Sequence, residues 1–300
     1  MSTDRDFTLD RQAVRRHARA HAAAALAGRD KPASDPHFLS REVAGRMAER
    51  LALIRNQPAR ILDIGCGTGA DFALLAGRYP NASLTGIDLC QALLPRPARS
   101  GWLQRMLGSG AGPQSICADA EQLPVRRSSM QMVWSNLMLN WLHDPLPALR
   151  EMHRVLEVDG MLMFSTLGPD TLRELREALP AGHGERVHRF IDMHDLGDAL
   201  VKAGFAEPVM DMETLTLTYQ DLDGLLRDLR QAGASNASTQ RPRGLSGRQG
   251  WQAARDRYEQ LRRDGRLPAT FEIVYGHAWK AAPKTTDDGR AVIQFRKRDK

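Results

Sequence analysis

Three aspartates and three glycines carry the chemistry that can be read from this chain. In "ILDIGCGTGA", residues 61–70, Asp63 interrupts an apolar run, and Gly65, Gly67 and Gly69 follow at alternate positions. Lacking a Cβ, glycines let the chain turn tightly at positive φ and bring bare backbone against a ligand. Asp88 closes the run "LTGID" (84–88), and Asp119 closes "SICAD" (115–119). A glycine-rich turn between an apolar run and a helix is where a nucleotide-like ligand meets the backbone. Acids at the ends of the first three apolar runs would make that ligand surface rich in carboxylate.

The glycine spacing alone leaves two ligands open. Read as Gly65-x-Gly67-x-Gly69, it resembles the S-adenosylmethionine (SAM) loop of the class I methyltransferases. Read as Gly65-x-Gly67-x-x-Ala70, it fits a dinucleotide fingerprint. The acids separate them. A pyrophosphate would come close to position 63, where a carboxylate repels it. SAM carries an ammonium and a sulfonium and no phosphate, so Asp63 suits it. Asp88, followed by Leu89, can accept from both ribose hydroxyls in either case. Asp119 can accept from an adenine amino group while the backbone around Ala120 donates to the ring. Asn136, just past the fourth apolar run, is a further candidate contact. The expected cofactor is SAM, held by Asp63, Gly65, Gly67, Gly69, Asp88, Leu89, Asp119, Ala120 and Asn136. No metal is expected: Cys66, Cys90 and Cys117 lack metal-ligand spacing and read as small buried thiols.

Strands must end on these residues. Residues 59–64, 82–89, 114–119, 130–137 and 161–168 read as strands, with later ones at 209–219 and 268–280. Helices are expected from Ser40, as an N-cap, to about Arg55, over 71–78, over 145–160 ending at Gly160, over 170–178 and 193–203, and twice within 221–266. Alternating strands and helices give an α/β fold with a mostly parallel sheet. Ligands bind outside the carboxyl ends of such strands. The expected organisation is an N-terminal arm (1–39, loosely ordered or a short helix), one domain (40–283) with a helical insertion (220–266), and a basic tail (284–300).

The 300 residues hold no apolar run near the roughly 18 needed to span a membrane. Acids at Asp4, Asp6 and Asp10 argue against a targeting leader, and three scattered cysteines suit a reducing cytoplasm. The net charge of +6 is uneven. Residues 1–60 carry 12 Lys and Arg against 7 Asp and Glu, and 220–266 carry 10 against 6, whereas 61–219 carry 13 against 19. Basic flanks of this kind can meet nucleic acid, an anionic membrane or an acidic protein.

Five segments, "ILDIGCGTG", "LTGIDL", "CADAEQLPV", "VWSNLMLNWLHDP" and "LREMHRVLEVDGMLMFSTLG", resemble the class I SAM-dependent methyltransferases. That resemblance implies a Rossmann-like, seven-stranded, mostly parallel sheet whose last strand, 269–280, is antiparallel, with a helical insertion before it. More narrowly, "SNLMLNWLHDPLPALREMHRVLEVDGMLMFSTLGPDTLRELREAL", "FIDMHDLGDALVKAGFAEPVMDMETLTLTY" and "LPATFEIVYGHAWK" are similar to the malonyl-acyl-carrier-protein O-methyltransferases of biotin synthesis. These blocks also resemble a mitochondrial complex I assembly factor described as a protein arginine hydroxylase. The first resemblance implies methylation of the malonyl carboxylate on acyl carrier protein, giving the ester that primes the pimeloyl precursor of biotin. The family's arm usually carries a phenylalanine and a tyrosine near the cofactor; here no tyrosine precedes Tyr79.

A malonyl carboxylate is ionised near neutrality, so its methylation needs no general base. It does need a clamp, for which Arg173 and Arg176 in "GPDTLRELR" are candidates, since a guanidinium matches a carboxylate bidentately. Trp134, Asn140 and Trp141 read as pocket wall and core, and His143, His183, His188 and His194 as structural. Acyl carrier protein is an acidic helical partner, and Arg241, Arg243, Arg248 and Arg255 of the insertion offer it a basic face. A small-molecule methyltransferase, a SAM-binding hydroxylase and an NAD dehydrogenase are the other readings, the last disfavoured by Asp63 and Asp119. Nucleic acid is disfavoured as substrate, because "SNLMLNW" replaces the Asn/Asp-Pro-Pro-aromatic motif expected after the fourth strand.

Overall fold

The computed structural model describes residues 8–27, 37–95, 113–179, 185–242, 244 and 247–282. One sheet of seven strands organises them: β1 (Arg60–Ile64), β2 (Ser83–Asp88), β3 (Gln114–Cys117), β4 (Met130–Ser135), β5 (Leu156–Leu167), β6 (Ala206–Tyr219) and β7 (Leu267–Trp279). Their order is β3-β2-β1-β4-β5-β7-β6. β7 is antiparallel to both neighbours, and the β1, β2, β3, β4 and β5 pairings are parallel. The order reverses between β1 and β4, so the crevice at their carboxyl ends is the switch point where a ligand fits.

The central strands are continuous apolar runs because helices cover both faces. Among the described residues these are α1 (Arg11–Ala27), α2 (Phe38–Leu51), α3 (Phe72–Arg78), α4 (Leu146–Val155), α5 (Arg173–Ala178), α6 (Met193–Ala203), α7 (Leu222–Gln231) and α8 (Gly247–Glu259). One core layer packs Met47, Leu51, Trp134 and Tyr275 between the sheet and α2, α3, α5, α7 and α8. The other packs Leu149, Met152, Phe164 and Leu200 against α4 and α6. No helix among the described residues is long and apolar enough to cross a membrane.

Two expectations about the elements change. The helix expected to end at Gly160 stops at Val155, because the Ser128 and Ser129 N–H groups donate to the carbonyls of Arg154 and Val155 (both 2.9 Å), and the chain turns straight into β5. Ser40 does not cap α2: the cap position is His37, and the Ser40 hydroxyl donates to the His37 carbonyl from inside the first turn. Within the arm, residues 11–27 form a 17-residue helix, the ordered one of the two alternatives read from the sequence. Its start is held by one carboxylate. Asp10 Oδ1 accepts from the Gln12 and Ala13 N–H groups, and Oδ2 accepts from Arg241 Nη2 at 2.7 Å. The Arg241 guanidinium, helped by the Ala13 N–H, pulls the Asp10 carboxyl down to about 2. Cys66 and Cys90 are buried as expected, but Cys117 on the edge strand β3 is exposed.

The β5–β7 pairing sets Gly276 opposite Phe164, a fully buried ring. A Cβ at 276 would stand 2.6 Å from Phe164 Cε1 and 2.8 Å from Met210 Sδ. Gly276→Ala therefore overpacks both sides of the strand and is expected to cost about 1–3 kcal/mol. Urea unfolding should show a lower midpoint with an unchanged slope.

Candidate active site

The glycine loop runs from β1 to α3 with Gly65, Gly67 and Gly69 at φ +81°, +51° and +74°. Its amides are turned inward. The Gly65 and Cys66 N–H groups both donate to the Ile87 carbonyl (2.7 and 3.0 Å), Gly69 N–H to the Cys66 carbonyl (2.8 Å), and Gly67 N–H to Asp88 Oδ2 (3.0 Å). These four donors are spent, so the loop is not a cradle for a pyrophosphate. A Cβ at Gly65 would lie 2.5 Å from Met138 Cγ, so only glycine fits between β1 and the segment after β4.

What the crevice offers is negative charge. Asp63 is 3% exposed, and its Oδ2 is buried without a hydrogen-bond partner among the described residues. Asp71, at the start of α3, accepts from Trp134 Nε1 (2.8 Å) and Asn136 Nδ2 (3.0 Å). Asp88 accepts from the Cys90 N–H (2.7 Å) as well as from Gly67. Burial pushes all three carboxyls above their ordinary range. Asp63 moves furthest, because Asp71 and Asp88 add like charge to its desolvation. Hydrogen bonds hold Asp71 and Asp88 partly back, and His37 beside Asp71 adds a smaller pull in the same direction. A buried carboxylate set of this kind is satisfied by a positive ligand. The orphaned Asp63 oxygen, the glycine-only approach at 65 and the commitment of the Gly65, Cys66, Gly67 and Gly69 amides to the protein fit SAM better than a dinucleotide.

A cavity of about 530 Å³ opens in front of this crevice. Of the residues proposed from the sequence to hold SAM, Gly65, Gly67, Asp88, Leu89, Asp119, Ala120 and Asn136 line it, and Asp63 and Gly69 do not. Gly69 serves the seating of α3, since a Cβ there would strike the Phe72 ring. Asn136 lines the cavity, but its amide is committed to the protein. Nδ2 donates to the Ser40 carbonyl and to Asp71, and Oδ1 accepts from the Ser165 hydroxyl. Asn136 thus ties α2 to the crevice. Asp71 is the site residue that sequence reading missed; its signal was an acid two places after the last glycine, at the helix cap.

Asp119 has an unexpected neighbour. Arg11 of α1 forms an ion pair with it and a second with Glu121 (3.1 Å). α1 therefore roofs the cavity, presenting Arg11, Val14, His17 and Ala18 in place of the aromatic pair usual in the family's arm. Leu226 and Leu229 of α7, Trp141, His188 and Phe190 complete an apolar far end. The His188 ring lies 5.7 Å from Trp141 and 4.6 Å from Phe190, and burial, then the charge of Arg176, pushes its imidazole down to about 4. His188 is thus a neutral wall residue. His194 is exposed and bonded to Asp192; His183 lies outside the described residues.

The expected clamp is not assembled. Arg173 faces the other side of α5, near Asp170 (3.7 Å), and Arg176 folds back to donate to the carbonyls of Pro169 (2.8 Å) and Thr171 (3.3 Å). Neither lines the cavity, whereas Arg186, two residues before His188, does.

Sheet order, glycine loop and carboxylate crevice together define a class I SAM-dependent methyltransferase, and residues 62–164 match the family model described as "Methyltransferase domain". The fold also matches the crystal structure of YcgJ from Bacillus subtilis, with a TM-score of 0.52 at 17% identity over 80% of this chain and 99% of that one. More specifically, the chain is 53% identical over 266 residues to the malonyl-[acyl-carrier protein] O-methyltransferase of Laribacter hongkongensis, covering 86% of this chain and 89% of that protein. It is 50% identical over 292 residues to the protein of the same name from Gallionella capsiferriformans, covering 96% and 97%. The chain belongs to the malonyl-[acyl-carrier protein] O-methyltransferase family.

The raised carboxyls set a pH dependence. Between the ordinary carboxyl range and their raised folded-state values, Asp63, Asp71 and Asp88 hold protons in the folded, ligand-free chain that the unfolded chain has lost. Their contribution to stability is therefore fully present below the ordinary carboxyl range and is lost as pH rises through the folded-state values. A cationic ligand favours the ionised forms, so binding releases protons, and affinity drops as pH falls through the same window. Calorimetric titration with SAM in buffers of different ionisation enthalpy should show net proton release on the acid side of neutrality. Asp63→Asn should reduce that release, raise the melting temperature of the free protein and weaken SAM by roughly tenfold or more.

Proposed function

We propose that this protein transfers the methyl group of SAM to the free carboxylate of malonyl-acyl carrier protein in the cytoplasm, giving the ester that primes pimeloyl synthesis for biotin. The observation that carries this reading is 50% identity across 96% of the chain to a protein of that name. Relatives at this identity are named methyltransferases, which favours methyl transfer over the hydroxylase branch. When bound, SAM supplies an activated methyl with a neutral thioether as leaving group.

The chain's own part is binding, orientation and exclusion of water. Asp63, Asp71 and Asp88 set a negative crevice at the ends of β1 and β2, and Gly65 lets the segment after β4 close against the loop. The acceptor enters from the far end, between Trp141, His188 and Phe190. No proton has to be removed from it, so the low basicity of His188 costs nothing. Placing the carboxylate oxygen in line with the methyl group is the main task, and effective molarity of this kind is the larger part of such catalysis.

Arg186 is the acceptor clamp in this reading. It lines the cavity beside the aromatic far end, where a guanidinium can hold the malonyl carboxylate while one oxygen remains free to react. Incubation of the purified protein with SAM and malonyl-acyl carrier protein should add one methyl to the carrier by intact mass. Arg186→Ala should raise KM for the malonyl carrier about tenfold or more with SAM affinity unchanged, and Arg186→Lys should recover part of the loss. Arg173→Ala should stay within about twofold of wild type. An unmethylated carrier would sink the substrate assignment, and an unchanged KM in Arg186→Ala would sink the clamp.

A further inference from the structure

Two of the four arginines that the sequence offers to a partner are used inside the protein. Arg241 is bound to Asp10 and to the Ser238 carbonyl, and Arg255 pairs with Asp223 at 2.6 Å. Arg243 lies outside the described residues. The insertion therefore spends charge on its own cohesion.

α1 has the opposite character. Its sequence, RQAVRRHARAHAAAALA, holds four arginines and no acid. Ala13 is fully buried, and Val14, His17 and Ala18 face the cavity. Between them Arg15, Arg16 and Arg19 are exposed. Arg11, Arg15 and Arg19 recur every fourth residue and so form one stripe along the helix. Arg11 is taken by Asp119 and Glu121, and Arg16 reaches Asp10 only at 4.0 Å. No carboxylate among the described residues is paired with Arg15 or Arg19.

We propose that this face of α1, formed by Arg15, Arg16 and Arg19, is the docking surface for the acidic face of acyl carrier protein. The proposal rests on the reading above that the acceptor arrives on that carrier. Charge complementarity selects the occupant: an all-basic helix face with unpaired guanidiniums steers and orients an acidic helical partner. Position selects it too. The opposite face of the same helix is the cavity roof, so a carrier seated on α1 stands about one helix diameter, ~10 Å, from the chamber its thioester arm must enter. The helix is pinned at Asp10 to the insertion and at Arg11 to the cofactor edge, so the docking platform is registered against both substrates.

The test is the double variant Arg15→Glu/Arg19→Glu in the full chain, with Arg248→Glu on α8 as the comparison. Both altered side chains are exposed and outside the cavity, so melting temperature and SAM affinity should match wild type. KM for malonyl-acyl carrier protein should rise about tenfold or more at low salt, and the salt dependence seen in wild type should largely vanish. Turnover of a carrier-free malonyl thioester, malonyl-pantetheine, should be unchanged. A KM within twofold of wild type overturns the proposal, as does a loss that appears in Arg248→Glu instead. If wild type methylates nothing, the functional reading fails separately. Interferometry with immobilised malonyl-carrier then decides the docking alone: equal binding by wild type and the double variant, or none by either, overturns it.

Discussion

Two buried carboxylates and a partly buried third at one end of the sheet, with no arginine or lysine among the described residues paired to them, are the constraint around which this structure is arranged. Burying an unpaired carboxylate is costly. The strand register nevertheless puts Asp63 at the end of β1, one strand from Asp88, with Asp71 a turn beyond the glycines. The surroundings compensate only two of them. Asp88 draws two backbone N–H groups, and Asp71 draws an indole and an amide. Asp63 is left with an unsatisfied oxygen. The same hydrogen bonds that hold Asp71 run on through Asn136 to the Ser40 carbonyl and the Ser165 hydroxyl. The carboxylate cluster thereby fixes α2 and the ends of β4 and β5, and the cavity wall is built from the compensation.

The roof is held differently. α1 buries little apolar surface at its start, where Leu9, Ala13 and Ala237 form a small cluster of their own. Further along, Ala18 and Ala22 pack against Cys90 and Leu93, and its polar attachments include the contacts of Asp10 with Arg241 and of Arg11 with Asp119 and Glu121. Partly exposed ion pairs of this kind are individually weak and screened by salt. Segments with few buried contacts open at lower free energy than the sheet they cover.

Much of the fold was legible in the sequence because it depends on local pattern. Apolar runs ending on Asp63, Asp88 and Asp119 mark the strand ends, and glycines at 65 and 67 sit where the backbone must adopt positive φ. The misses are tertiary. Periodicity continues past Val155, but the Ser128 and Ser129 amides capture the helix carbonyls and end α4 there. Arg173 and Arg176 follow β5 on the ligand side, yet Leu172 takes φ +56° and turns α5 so that Leu172 and Leu175 face the cavity while Arg173 faces away. Arg186 lies in an irregular segment with no periodicity to assign it a face. The Arg11–Asp119 pair joins residues 108 positions apart, and no local rule reports such a contact.

The two ends of the cavity have opposite charge, and the reaction proposed for it consumes that opposition. A carboxylate crevice faces a cationic methyl donor, and Arg186 faces an anionic acceptor. Methyl transfer between them turns a sulfonium and a carboxylate into a thioether and an ester, both neutral. Charges that disappear along the reaction are better solvated by water than the charge-diminished transition state is. An apolar enclosure therefore works in the forward direction, while opposite charges attract more strongly in its lower dielectric. Trp141, Phe190, neutral His188 and the leucines of α7 supply that enclosure, and α1 keeps water from it without a tyrosine. Val14 and His17 reach the cavity from the body of a helix lying along it, so the apolar wall on this side is supplied by a whole element.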